Sequence, residues 1–540
     1  MKTSALKTAI AGILAVSAAG CVVGPDYERP ATAVPGRWNT PLGGGETEGA
    51  PQIAQWWRSF GDPLLDSLVR RALDANYDLR TAESRIMEAR ASESLAQSDL
   101  WPALNASAAY RRVQSQKPSP VSTDPALGGA SVSFSQQGAS VSATMLPLGA
   151  AGPSVMVSPD FTGSGNSRVT VGTPQGGKGS ASRRNNLYQA GFDASWELDI
   201  FGGARRGAEA ARANREAAEE ALRDVRVTLT AEVARQYFNL RGAQASLDIA
   251  AKNIELLRGS LELAQSRFDA GLTTMLDVQN ATAQLAASEA AVPGHAAEVQ
   301  YAIHRLGVLL GGEPGLLQNE LSSAAPLPAA PPEVPVGLPS DLLRRRPDVR
   351  RAERQLAAAT ALIGAATADL FPRVSLTGSL TGQDDALYGI KRNANMLWSI
   401  GPGVSWPVFD AGRIRANIRI QNARQEQALA GYEKAVMSSL EDAENALVAY
   451  AQEQNRLFSL EKSAAAGAEA VNLATDLYAK GLVTYLHVLD AERTLSAAEA
   501  QCVQSRANVL IHLTALFKAL GGGWDVDGDS GENGSETAAG

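Results

Sequence analysis

The sequence contains few of the residues that build common enzyme sites. Its 540 residues include only two cysteines and four histidines, too few cysteines for a disulfide framework or a Cys-based zinc site. The histidines show no H-x-x-x-H or H-E-x-x-H spacing, and no Walker loop, G-x-G-x-x-G or G-x-S-x-G motif is present. The sequence therefore predicts a protein that is not an enzyme and that holds no metal or dissociable cofactor.

A surplus of basic charge is also lacking. Lys and Arg number 49 against 57 Asp and Glu, a net charge of −8. The segment 525–540 contains five of the acidic residues and no basic one, and such a segment is expected to be disordered. Nucleic-acid binders usually carry a basic surplus, so no nucleic-acid partner is expected.

Beyond the N-terminus, no apolar run approaches the roughly 18 residues that a membrane-spanning helix needs. The start of the chain instead resembles a lipoprotein signal peptide. Lys2 and Lys7 precede an apolar stretch, which ends in small residues before Cys21. We expect Cys21 to carry covalent N-acyl and S-diacylglycerol lipid and to anchor the protein in the outer membrane. The alternative is ordinary secretion, with Cys21 incidental.

The chain consists of two related halves. Segments recur at an offset of 270 residues up to Pro102 and of 210 residues from Trp196 onward, which indicates duplication with an insertion of about 60 residues in the first half. Matching pairs are Asp78-Leu79-Arg80 with Asp348-Val349-Arg350, Leu100 with Leu370, Trp196 with Trp406, and Gly271-Leu272 with Gly481-Leu482.

The duplication sets the predicted domain organisation. We predict a signal peptide (1–20), an extended lipidated segment (21–60), a first repeat (61–325), a Pro-rich linker (326–339), a second repeat (340–524) and a disordered acidic tail (525–540). Within the repeats we predict strands at 103–113, 186–201, 373–383 and 396–409, a Ser/Gly/Pro-rich exposed loop at 114–184, and helix hairpins at 203–310 and 412–520.

The hairpins begin with very long helices. In the first, apolar residues recur every seven positions from Val233 to Phe268, which is the pattern of a left-handed coiled coil. A helix of about 68 residues would measure on the order of 100 Å. By itself, this pattern would also fit a coiled-coil rod.

The predicted strands alternate between apolar and polar residues. From Tyr188 to Ile200 the even positions are apolar, and the odd positions include Asp193, Glu197 and Asp199. Such strands suit an outer-membrane barrel with Phe192 and Trp196 facing lipid and the three acids facing a watery lumen. A half-buried soluble sheet alternates equally. Four strands cannot close a membrane barrel, which takes about eight, whereas three copies would supply twelve.

Several motifs together resemble the OprM/NodT-type outer-membrane factors of tripartite efflux systems, a TolC-like family. They lie in the mature N-terminus, before the first repeat, at the start of the second repeat and at the end of the folded chain. The motifs are Cys21–Pro30, Trp56–Pro63, Leu343–Glu353, Phe371-Pro372 and Lys518–Trp524.

The resemblance implies a fold and partners. The fold is an α+β membrane protein, a tandem-repeat protomer of a trimeric 12-stranded outer-membrane β-barrel continued by a long periplasmic α-helical coiled-coil barrel. The partners are two further copies in a homotrimer, a periplasmic adaptor (membrane fusion) protein, an inner-membrane pump, usually of the resistance-nodulation-division type, and outer-membrane lipid. The protein would be a passive duct for drugs or other small molecules.

The resemblance also places a periplasmic gate at the two hairpin turns. Asp277, Tyr478 and Asp490 match positions of the family's gate, with Tyr478 expected to bind Asp277. His487 stands where some members have an acidic residue, which is a departure. Asp277 and Asp490 could equally be capping or solvated residues. A type I secretion channel for proteins and a non-channel lipid-anchored coiled-coil scaffold remain alternative functions.

Replacement of the predicted lipid attachment site gives a direct test. Cys21→Ser should abolish labelling of the protein by a fatty-acid probe, because the serine hydroxyl cannot receive the thioether-linked lipid. Oligomer formation should persist if export does. Labelling that survives in Cys21→Ser would show that the lipid is attached elsewhere.

Overall fold

The computed structural model of the chain describes residues 22–43, 45–47, 49, 54–114, 184–384 and 395–524. The predicted signal peptide, Cys21, the interior of the predicted loop at 114–184 and the predicted acidic tail lie outside the described residues.

Eleven long elements make up most of the described residues. In chain order they are α1 (Pro63–Ala75), α2 (Tyr77–Ser98), β1 (Ala103–Gln114), β2 (Arg184–Leu198), α3 (Gly203–Asp269), α4 (Met275–Leu309), α5 (Pro347–Ala368), β3 (Arg373–Asp384), β4 (Asn395–Ser405), α6 (Arg413–Ala479) and α7 (Tyr485–Ala519). Short elements are the 3₁₀ turns Trp56–Phe60 and Pro339–Asp341, the helices Gln318–Leu321 and Leu342–Arg345, and the paired strands Glu46–Thr47 and Val334–Pro335.

Four pairs of corresponding elements in the two halves match in length, whereas β2 has 15 residues and β4 has 11. The long helices α3 and α6 have 67 residues each, and the returning helices α4 and α7 have 35 each. The helices α2 and α5 have 22 residues each, and the strands β1 and β3 have 12 each. These equal lengths are what the duplication in the sequence predicts.

The ends of the strands are held by the same bond in both halves. The indole nitrogen of Trp196 donates to the carbonyl oxygen of Leu100 at 2.9 Å, and that of Trp406 donates to Leu370 at 3.0 Å. Both pairs were matched by the sequence offsets. The Trp196 ring is half-buried in this protomer, and its predicted contact with lipid stays a prediction.

Two strands end earlier than the alternation of apolar and polar residues predicted. The strand predicted at 186–201 ends at Leu198, and the one predicted at 396–409 ends at Ser405. After Leu198 the chain turns, with the amide of Ile200 donating to Leu198 at 2.8 Å. After Ser405 the chain reaches Pro407, which has no amide hydrogen for a sheet.

The contacts between Cα atoms divide the chain into two compact units that cut across the two repeats. Of the described residues, those within 22–102, 196–375 and 403–524 belong to the first unit, and those within 103–114, 184–195, 376–384 and 395–402 belong to the second. Both repeats contribute helices to the first unit and strands to the second. The two compact units therefore do not coincide with the two predicted repeats, which stay a prediction.

The first unit has an aromatic and aliphatic core. Trp56, Trp57 and Phe60 are buried, and the ring of Trp56 stacks on Phe517 of α7 at 5.2 Å. The same core includes Phe238 of α3. Helices from both repeats thus share one core, which favours folding of the two repeats as a single body.

The second unit is built around a four-stranded sheet in the order β1-β2-β3-β4. Strands β1 and β2 are antiparallel, with Ala103 opposite Ser195 and Gln114 opposite Arg184. Within the described residues, the outer strands β1 and β4 each pair on one side only.

None of the helices in the described ranges is both long enough and apolar enough to cross a membrane.

Two glycines of α3 provide a matched test of the packing between α3 and α7. A Cβ atom at Gly242 would lie 2.9 Å from the Cβ of Ala507, whereas one at Gly259 would meet nothing within 4 Å. Gly259→Ala should raise the melting temperature, because alanine favours a helix by about 1 kcal/mol over glycine. Gly242→Ala should lower it, since overpacking costs about 1–3 kcal/mol. Thermal denaturation of the purified protein measures both, and equal shifts would contradict the close approach of α3 and α7.

Candidate functional site

The predicted gate residues lie at two hairpin turns of matching geometry. The first turn joins α3 to α4 and the second joins α6 to α7. Gly271 and Gly481 adopt left-handed φ values of 73° and 74°, which glycine tolerates without strain. The amides of Asp277 and His487 both donate to a threonine carbonyl three residues earlier, at 3.1 Å. Corresponding residues of the two turns, such as Asp277 and His487, therefore have similar backbone geometry.

Tyr478 is buried between the first repeat and the second hairpin. Its ring is 2% exposed. The guanidinium carbon of Arg267 lies 4.8 Å from the ring centroid, and the ring of Tyr485 lies edge-on at 5.5 Å. The Nη1 of Arg267 also donates to the carbonyl of Ala479 at 2.8 Å, at the end of α6. Arg267 thus ties α3 to the end of the first helix of the second hairpin.

The expected hydrogen bond between Tyr478 and Asp277 is not formed in this protomer. Within the described part of the chain, the Tyr478 hydroxyl has no hydrogen-bond partner. The Asp277 carboxylate instead accepts from the hydroxyl of Thr273, four residues earlier. Local bonding within the first turn therefore replaces the expected link between the repeats.

His487 and Asp490 lie together on the exposed face of the second hairpin. They line a groove with Leu486, Ala491 and Thr494 of α7 and with Gly467 and Ala470 of α6. The Nδ1 of His487 lies 3.2 Å from the hydroxyl of Thr484. Neither side chain contacts Asp277 or Tyr478 in the described residues, so the four candidates do not form one cluster within a protomer. Their role in a symmetric gate stays a prediction.

The three predicted lumen residues differ in setting. Asp193 and Glu197 are exposed residues of β2. Asp193 accepts a long hydrogen bond from Ser107 at 3.5 Å, and Glu197 lies 4.0 Å from Arg373. Asp199 follows the strand, and its Oδ2 accepts from the backbone amide of Arg205 at 2.9 Å and from its Nε at 3.1 Å.

The alternation of apolar and polar residues predicted that Asp199 lies in the strand, which is wrong because the strand ends at Leu198. It is half-buried at the start of α3, where a carboxylate is stabilised by the unpaired amides of the helix N-terminus. The lumen position of Asp193 and Glu197 stays a prediction.

Polar contacts between α3 and the second hairpin were missed by the sequence analysis. Asn253 donates to Ser496 at 3.3 Å, and Ser260 donates to Glu492. With Arg267 these residues lie seven apart on α3, one position before the apolar repeat. We call these contacts of Asn253, Ser260 and Arg267 with the second hairpin the polar seam. The seven-residue spacing of three polar residues was the signal in the sequence that could have revealed it.

Burial affects the titration of the groups in the polar seam. It raises the pKa of the Glu492 carboxyl, and the hydrogen bond from Ser260 opposes that effect. Burial, together with the nearby Glu492, raises the pKa of Tyr485 well above its ordinary value. No group of His, Cys, Asp and Glu that could hold a metal ion occurs among the residues described.

Comparison with known proteins identifies similarity over nearly the whole chain. The sequence model of a family described as outer membrane efflux protein matches residues 150–312 and 338–522. The chain is 30% identical to the solvent efflux pump outer membrane protein SrpC of Pseudomonas putida, over 94% of this chain and 96% of SrpC. It is 28% identical to SilC of Salmonella typhimurium, named a probable outer membrane lipoprotein, over 94% of this chain and 96% of SilC. The solved outer-membrane channel OprN is 35% identical with a TM-score of 0.77, covering 94% of this chain and 100% of that one.

Arg267 offers a test of the link between the repeats. Arg267→Ala removes both the contact with the Tyr478 ring and the hydrogen bond to Ala479, so the second hairpin should separate more readily from α3. We expect higher single-channel conductance and greater sensitivity of cells to vancomycin. Arg258→Ala is the control, because Arg258 pairs only with Glu255 and Glu289 of the first hairpin, and exposed pairs contribute little. Equal behaviour of the two variants would show that Arg267 does not hold the hairpins together.

Proposed function

The chain belongs to the outer membrane efflux protein family, and we propose that it is the exit duct of a tripartite pump for drugs or other small molecules. It is an outer-membrane component of an efflux system, and its fold is that of the family's channels. In the proposed complex, an inner-membrane pump of the resistance-nodulation-division type supplies the energy. A periplasmic adaptor joins the pump to this protein, which is passive and carries out no catalysis.

The observation that carries the proposed assembly is the open sheet of the second unit. Its outer strands β1 and β4 each have a partner on one side only among the described residues. In a membrane, an unpaired strand edge leaves backbone polar groups without hydrogen-bond partners, at a cost of several kcal/mol each. Three copies, each pairing β4 with β1 of the next copy, would form a closed 12-stranded barrel. The copies would also place α3, α4, α6 and α7 side by side as a helical barrel.

Exposed side chains of the sheet fit this arrangement. Trp398, Ile400 and Val404 of β4 are each about 70% exposed, at 74%, 69% and 70%, and they point to one face because successive side chains of a strand alternate. A row of large apolar residues exposed in one protomer suits contact with lipid. Asp193 and Glu197 would then lie on the lumen side.

The hairpin turns would form the periplasmic opening of the duct. Threefold symmetry would repeat the exposed Asp490 and His487 around the axis, and Asp277 on the first hairpin likewise. Carboxylates repeated in a narrow opening favour cations. The buried Tyr478 would act differently, by holding the second hairpin against α3 through Arg267.

The N-terminal segment supports the proposed lipid anchor. The amide of Val23 donates to Phe201 at 3.2 Å, and Asp26 pairs with the buried Arg206 at 2.6 Å. A Cβ atom at Gly24 would lie 2.4 Å from the Cα of Gly364. The residues just after Cys21 thus contact the start of α3 and the last turns of α5. Lipid on Cys21 would therefore hold this part of the first unit at the membrane.

Channel activity and ion preference test the proposed function. Purified protein should form heat-modifiable trimers and give large, steady conductance steps in planar bilayers. Asp193→Lys should reduce cation preference, because it replaces three lumen carboxylates with three ammonium groups. Asp74→Lys makes the same charge change on the exposed surface of α1 and should leave ion preference unaltered. The absence of conductance from intact trimers would contradict the duct.

A further inference from the structure

One carboxyl group of the polar seam is buried with incomplete hydrogen bonding. Glu492 is 7% exposed. Its Oε1 accepts from the hydroxyl of Ser260, while its Oε2 has no partner among the residues described. A buried carboxylate in such a setting is strongly disfavoured, and the group usually stays neutral by keeping its proton.

Within the described residues, no cation pairs with Glu492. From α3 come Ser260 and Arg267, and the Arg267 guanidinium is engaged with Ala479 and the Tyr478 ring. Arg493 of α7 donates to Gln284 of α4 at 2.8 Å.

The other titratable groups around the site are neutral hydroxyls or an acid. Tyr478 of α6 and Tyr485 of α7 are buried, and neither hydroxyl has a hydrogen-bond partner in the described ranges. Asp277 of α4 is close enough to Tyr485 to raise its pKa. Arg493 is also close enough to Tyr485 to oppose that rise. Within the described residues, burial and the hydrogen bond from Ser260 are the influences on the pKa of Glu492, and no charged side chain is among them.

We propose that Glu492 is a proton-binding site within the polar seam, and that loss of its proton loosens the second hairpin from α3. When protonated, the carboxyl is neutral and can stay buried beside the Ser260 hydroxyl. When ionised, it is stabilised by water, which it reaches only if α7 moves away from α3. The site therefore couples proton binding to the packing of the two repeats.

The direction of the pH effect follows from burial. Burial raises the pKa of Glu492 in the packed seam above its ordinary value of 4.5. The packed seam binds the proton more tightly than the separated one, so packing is strongest at acid pH. It weakens as pH rises from about 4.5 through the raised pKa and changes little beyond it. Between those limits, the opening equilibrium should rise up to about tenfold per pH unit.

Hydrogen exchange of the purified full-length protein in detergent tests the site. The peptides that cover residues 253–267 and 485–499 are followed from about pH 5 to 9, with rates corrected for the intrinsic pH dependence of amide exchange. Wild type should show more opening as pH rises. Glu492→Gln, which is neutral and of equal size, should remove that dependence. Ser260→Ala should move its midpoint to higher pH, because the Ser260 hydrogen bond favours the ionised form.

His295→Ala is the matched control. His295 lies on α4, 3.3 Å from Glu298 of the same helix, outside the polar seam, the hairpin turns and both peptides, so this variant should keep the wild-type exchange profile. A pH dependence that persists in Glu492→Gln, or that disappears in His295→Ala, would overturn the proposal. If Glu492→Gln does not fold, an unshifted midpoint in Ser260→Ala overturns it.

Conductance of the same samples tests the consequence for the duct, which rests on the proposed function. Wild type should conduct more at alkaline pH, and Glu492→Gln should not. If hydrogen exchange depends on pH but the protein never conducts, the proton-binding site stands and the proposed duct is contradicted.

Discussion

The unpaired edges of the four-stranded sheet are the constraint on which the rest of the proposed architecture depends. Backbone amides and carbonyls cannot be left without partners in a hydrocarbon layer, and a sheet avoids this only by closing on itself. Four strands are too few to close alone. In the proposed assembly, each copy must therefore pair its edge strands with those of neighbouring copies.

Duplication provides the repeated elements, and divergence provides the difference between the hairpins. The two turns have the same glycine geometry and the same backbone bonds. At the positions of Tyr478, Tyr485 and Glu492, however, the first repeat has Phe268, Met275 and Thr282. At these three positions the second hairpin thus carries titratable groups and the first carries none. Apolar side chains would pack in the same way at every pH. A buried carboxyl with incomplete hydrogen bonding instead makes the packing depend on whether it is protonated.

The fold could be predicted well from the sequence because its signals are long and repeated. Two offsets located the duplication, and the heptad spacing from Val233 to Phe268 marked the second half of α3. The ends of β2 and β4 were less predictable, since alternation in the sequence continues past Leu198 while the chain turns there to let Asp199 bind Arg205. The Tyr478–Asp277 bond is not formed within the protomer because Thr273 is close enough to bond Asp277 locally. Contacts between distant segments, such as Ser260 with Glu492, depend on the rotation of each helix about its own axis. The spacing of residues in the sequence does not determine that rotation.

In the proposed assembly, one chain supplies a third of a closed barrel. Electron cryo-microscopy of the full-length protein in a lipid nanodisc would show this arrangement. We expect three copies around one axis, with β4 of each copy hydrogen-bonded to β1 of the next in a barrel of 12 strands. A well-resolved particle with a different number of copies, or one in which β1 and β4 remain unpaired, would contradict it.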